Sequence, residues 1–83
     1  MTVSNAIKKL EKNGYSVEKV RHQFQAIKDG LSDVIEFSKN GGGLDDVICI
    51  RVRSKSDKDD IMSDYSAGIY CDNITQAIRL AKA

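Results

Sequence analysis

Apolar and polar side chains alternate through the middle of the chain, and this alternation predicts most of its structure. From Tyr15 onward Val20, His22, Phe24 and Ala26 share one parity, and Lys19, Arg21, Gln23 and Gln25 share the other. That reads as one extended strand ending at a turn in Lys28-Asp29-Gly30. A second strand is expected over residues 32–39, with Ile35 and Phe37 on one face and Val34, Glu36 and Ser38 on the other. Asn40-Gly41 then signals a hairpin, lengthened by Gly42 and Gly43. The third strand follows: Ile48, Ile50 and Val52 point one way, and Cys49, Arg51 and Arg53 the other. Residues 54–60 form a charged loop, and a fourth strand near residues 65–71 is suggested by the shared parity of Tyr65, Ala67, Ile69 and Cys71. Gly68 weakens that strand.

The period is helical at both ends. Val3, Ala6, Ile7 and Leu10 predict a helix over residues 3–13, capped by Thr2 or Ser4 and stopped by Asn13-Gly14. Lys8, Lys9 and Lys12 suit the negative end of its dipole. Ile74, Ala77, Ile78 and Ala81 predict a second helix over residues 73–82, with Asn73 and Gln76 at capping-box spacing. The order is α-β-β-β-(β)-α. The expectation is therefore an α+β fold: an antiparallel sheet of three or four strands with both helices on one face, over Phe24, Ile35, Phe37, Ile48, Ile50 and Val52. The opposite face, with Arg21, Gln23, Gln25, Glu36, Ser38, Arg51 and Arg53, is expected to meet water.

Eighty-three residues make one domain, 1–83, with a small core. A hydrophobic fraction of 41% with a net charge of +1 excludes disorder of the highly charged kind. The net charge conceals an asymmetry. Residues 1–28 carry six bases against two acids, and the remainder seven bases against ten acids. No apolar run is long enough for a membrane span, and no signal-peptide pattern opens the chain, so a cytoplasmic location is expected. In a reducing compartment Cys49 and Cys71 read most simply as buried small hydrophobes; a disulfide between them is the alternative.

Candidate chemistry is sparse. His22 falls on the apolar parity and reads as a core-edge histidine, not as the partner of a catalytic cysteine. Zinc calls for about four Cys or His ligands, and His22, Cys49 and Cys71 are too few. The acidic run Asp57, Asp59, Asp60 and Asp64 lacks the central glycine and terminal Glu of a calcium loop. Gly41-Gly42-Gly43 belongs to neither a phosphate-binding nor a dinucleotide-binding motif. No enzyme, metal or cofactor is expected.

The element order resembles that of double-stranded RNA-binding domains in topology and length only. In that family a basic cluster opens the last helix, whereas here Cys71-Asp72-Asn73-Ile74-Thr75-Gln76 is acidic or neutral. Arg21, Arg51 and Arg53 offer a different nucleic-acid face, without the aromatic platform of single-strand binders.

The tail carries a second resemblance. Asp60, Ser63-Asp64-Tyr65, Ala67-Gly68 and Asn73-Ile74-Thr75-Gln76-Ala77 are similar to the C-terminal part of small uncharacterised proteins encoded by bacterial phages and prophages. The similarity extends to Val34–Asn40 and the third strand. It implies a phage accessory protein, working in the host cytoplasm by binding and blocking a host factor, including the defence complexes that anti-CRISPR proteins inhibit. Asp57, Asp59, Asp60, Asp64, Tyr65 and Tyr70 are the candidate contacts, since tyrosine supplies area at low entropy cost. A nucleic-acid-binding domain using Arg21, Arg51 and Arg53 is the alternative, and a homodimer pairing exposed strand edges is a third reading.

Overall fold

Alternation is kept along the central strand and broken at two places, and each break is marked by a non-glycine residue at positive φ. In the computed structural model, residues 1–21, 23–40, 45–54 and 68–81 are described. Helix α1 spans Val3–Lys12, strands β1 to β5 span Ser16–Val20, Gln23–Ile27, Asp33–Lys39, Val47–Ser54 and Ile69–Tyr70, and helix α2 spans Ile74–Leu80. The strands form one antiparallel sheet in the order β1-β2-β3-β4-β5. The α+β expectation holds, with one strand more than the sequence suggests.

The extra strand comes from the first break. Val20 pairs with Gln23, so the chain reverses between them, with Arg21 at φ 59°. The segment expected as one strand is therefore a hairpin. Two-residue hairpins favour positive φ because its twist matches that of the strands. The usual glycine or asparagine signal is absent here, so the turn is invisible to pattern reading. Doubling back moves Val20 away from the Phe24 face, and it ends 39% exposed. His22 itself lies outside the described residues.

The second break is a β-bulge in β4. Glu36 pairs with Arg51 and Ser38 with Ile48, so Cys49 and Ile50 together oppose Phe37. Cys49 takes φ 53° to accommodate the extra residue. Beyond the bulge Ile50 and Val52 enter the core as expected, while Ile48 is shifted to the face opposite the helices and is 38% exposed. Ile48 thus does not belong to the core face assigned to it by alternation.

Both helices cover the same sheet face. Leu10 and Ala6 of α1 and Ile74 and Ala77 of α2 pack with Ala26, Ile35, Phe37, Ile50 and Val52 into one cluster. Phe24 and Phe37 are directly opposed on β2 and β3 and stack at 5.2 Å, a cross-strand aromatic pair that adds to the burial itself. Thr2 caps α1 by accepting from the Asn5 N–H at 3.1 Å, and Gly14, at φ 90°, ends it in the left-handed region. Asn73 caps α2 by accepting from the Gln76 N–H at 2.8 Å. Gln76 reaches back one residue further than a capping box requires, to the Asp72 N–H at 2.7 Å. Lys9 of α1 donates to Thr75 of α2 and ties the helices together.

Strand β4 is flanked piecewise on its other side. Thr2 bridges to Asp46 and the Val47 N–H donates to the Met1 carbonyl, while β5 pairs with Arg51 and Val52. Gly68 leads into β5 at φ 105°, and a Cβ there would stand 2.7 Å from the Val52 carbonyl oxygen and 2.9 Å from Arg53 Cβ. Backbone cannot yield as a flexible side chain can. Gly68→Ala is therefore expected to lower stability by roughly 2 kcal/mol or more, through both strain and clash. Urea unfolding checks this, and an unchanged midpoint would contradict the close approach.

Candidate functional site: a buried carboxylate and the sheet edge beside it

Glu36 sits in the middle of β3, the central strand, on the face away from the helices. Its cross-strand neighbours are Gln25 on β2 and Arg51 on β4, and Arg53 follows two residues along the same face. All four side chains converge. Gln25 Nε2 donates to Glu36 Oε2 at 3.0 Å. Arg51 donates to Oε1 through Nε at 3.2 Å and through its terminal nitrogen at 2.7 Å. Arg53 donates to Oε2 at 2.9 Å, and its Nε stands 2.7 Å from Oε1 at an angle that makes this second contact ionic and not a hydrogen bond.

This face was expected to be wet. Instead Gln25, Glu36, Arg51 and Arg53 are each under a tenth exposed, and Val34, directly across from Arg53, is fully buried. The physical reason is mutual satisfaction: charged groups leave water only when paired and hydrogen-bonded. Burial by itself would raise the Glu36 carboxyl above its ordinary range. The hydrogen bonds from Gln25, Arg51 and Arg53, with the charge of Arg53, outweigh it and hold the group below that range. A carboxylate so saturated has a structural role and is poorly placed to exchange protons with a substrate.

The three arginines singled out from the sequence do not share a surface. Arg21 is exposed on the β1–β2 turn. Arg51 and Arg53 are turned onto Glu36 and 7% exposed. Phosphate contact through them would require the cluster to open.

The same cross-strand row ends at Tyr70, which pairs with Arg51 across β5 and is 55% exposed. Ile69 beside it is 58% exposed. Of the other candidate contacts, Asp57, Asp59, Asp60, Asp64 and Tyr65 lie outside the described residues, as do Gly41, Gly42 and Gly43. The opposite edge, β1, displays Glu18 and Lys19, charges of the kind that blunt edge-to-edge pairing. A groove of about 530 Å³ beside it, lined by Val17, Glu18, Lys28 and Asp29, mixes both signs of charge. Lys28 there lies over the ring of Tyr15, 5.6 Å from its centroid.

The cysteines depart from expectation as well. Cys49 is exposed and Cys71 half-buried, and both are free thiols. Strand parity already puts Cys49 on the face of Arg51 and Arg53; the buried reading rests on residue type alone. Among the described residues no helix is long and apolar enough to cross a membrane. Comparison with protein-family models, with curated proteins and with solved structures found no match.

Two outcomes follow from the cluster. Glu36→Gln removes the Glu36 charge from between two buried guanidinium groups and is expected to cost about 3 kcal/mol in chemical denaturation; a loss below about 1 kcal/mol would contradict the role assigned to Glu36. The carboxyl is held lower in the folded than in the unfolded chain, where it titrates near ~4.3. Its contribution is therefore complete above that value and disappears as pH falls through the folded value. Acid unfolding followed by circular dichroism should show this loss in the wild type, and the Glu36→Gln variant should lack that component.

Proposed function

We propose that this chain is a non-enzymatic module that acts by binding another protein, with the β5 edge as its contact. The observation that carries this reading is the exposure of Ile69 and Tyr70, more than half open to solvent, on the outermost strand of the sheet among the described residues. An exposed apolar residue and an exposed tyrosine, one on each face of this strand, offer anchoring area to a partner that grips it. The Glu36 cluster next to them favours a rigid platform, since ordering cost falls when the surface is preorganised. The resemblance of the tail to phage accessory proteins supports a host protein as the partner and inhibition of a host defence complex as the outcome. The arginine route to nucleic acid finds no support in a geometry that commits Arg51 and Arg53 to Glu36.

The test is affinity capture from bacterial lysate with the immobilised chain, run beside Tyr70→Ala and Ile69→Asp variants shown to be folded. A host protein should be retained by the wild type, and its recovery should fall at least about tenfold with either variant, the loss of one interfacial anchor. A wild type that retains nothing beyond bare resin, or variants that retain the same protein equally well, would end this reading.

A further inference from the structure

We propose that Cys49 and Cys71 form a redox-responsive pair, closing to an intramolecular disulfide that fastens the β5–α2 end of the chain onto β4. This inference is independent of the protein-binding reading.

Register makes the two residues diagonal neighbours on adjacent strands. Arg51 pairs with Tyr70 and Val52 with Ile69. Continuing the same ladder, the Cys71 N–H donates to the Ile50 carbonyl at 2.8 Å. Cys71 therefore lies across from Ile50, the residue that follows Cys49. Opposed Cα atoms in a hydrogen-bonded antiparallel pair stand about 5.5 Å apart, which is the spacing of Cys71 from Ile50. Cys49, one residue along, is the diagonal neighbour of Cys71, between that spacing and the roughly 7–8 Å of a two-residue diagonal, and a disulfide accepts Cα separations of roughly 4.4–6.8 Å.

In an unbroken strand, adjacent residues would point to opposite faces, and Cys49 could not meet a residue across from Ile50. The bulge removes that obstacle. Cys49 and Ile50 share one register position against Phe37, and Cys49 departs from strand geometry at φ 53°. Bulges re-aim side chains in this way. A left-handed cysteine is sterically costly, and glycine or asparagine would fill the position at less cost if the bulge alone were needed.

The two thiols differ in exposure, which sets the order in which they react, with Cys71 the slower of the two to attack. Cys49 is exposed and open to a small oxidant. Cys71 is half-buried, its thiol donates to the Ile69 carbonyl at 3.7 Å, and burial followed by the charge of Asp72 pushes its pKa up. With a low-molecular-weight disulfide such as oxidised glutathione as oxidant, the Cys49 thiolate attacks one sulfur. That forms the mixed disulfide and expels one glutathione thiolate. Cys71 then loses its proton and attacks Cys49 Sγ, expelling the second glutathione thiolate. The protein gives up two electrons and two protons, and one glutathione disulfide becomes two glutathione thiols.

The experiment incubates the purified chain with oxidised glutathione and reads intact mass, non-reducing peptide maps and thermal unfolding. The expected product is a monomer lighter by two hydrogens, with the Cys49 and Cys71 peptides joined and the change reversed by dithiothreitol. Closing a loop of roughly twenty residues should raise the melting midpoint by about 10 °C. Cys71→Ser should stop at a glutathione adduct on Cys49. A wild type that stops at the adduct, dimerises through Cys49 or does not react overturns the proposal. Because the wild-type map is decisive on its own, the result does not depend on the variant folding.

Discussion

The arrangement depends on one carboxylate. Glu36 lies in the central strand, and its two oxygens are shared by donors from the strands on either side. A buried charge in this position constrains register strongly. Slipping β4 by one residue would withdraw Arg51 and Arg53 from the carboxylate and turn them toward the helices. The cost of leaving Glu36 unpaired exceeds what a single apolar contact could restore. The cluster therefore contributes more to the choice of one pairing than to the total stability of a small domain.

That constraint explains how a sheet with two interruptions stays in register. The β1–β2 turn and the bulge in β4 each shift parity, and either shift alone would leave strands free to pair in more than one way. Phe24 stacked on Phe37 fixes β2 against β3 from the helix side, while Gln25, Glu36 and Arg51 fix the same strands from the other. Between these two layers the backbone tolerates left-handed residues at Arg21 and Cys49.

Much of this was legible beforehand. The two helices, their Thr2 and Asn73 caps and the core face of Ile35, Phe37, Ile50 and Val52 follow from periods of 3.6 and two. What escaped is what alternation does not encode. The reversal between Val20 and Gln23 has no glycine to signal it, so alternation assigns Val20 to the inside. A bulge changes parity without changing residue type, so alternation assigns Ile48 to the inside, while the buried reading of Cys49 rests on residue type alone. Glu36, Arg51 and Arg53 read as a wet face because sequence shows charge but not the convergence that lets charge leave water. Of the candidate site only Tyr70 could be followed from sequence to surface. Its acidic neighbours in the chain lie outside the described residues, Arg21 is exposed, and Arg51 and Arg53 belong to the framework.

The contact surface proposed above lies outside this framework. Charges committed to Glu36 do not recruit a ligand, whereas Ile69 and Tyr70 stand on a two-residue strand whose position is set through Arg51 and Val52. The most direct test is the pH titration of the Glu36 side-chain carboxyl by carbon NMR. A value below that of an ordinary glutamate is predicted, because the hydrogen bonds from Gln25, Arg51 and Arg53 and the charge of Arg53 outweigh desolvation. Titration at or above the ordinary value would mean that the donors do not hold the carboxylate, and would contradict its place at the centre of the sheet.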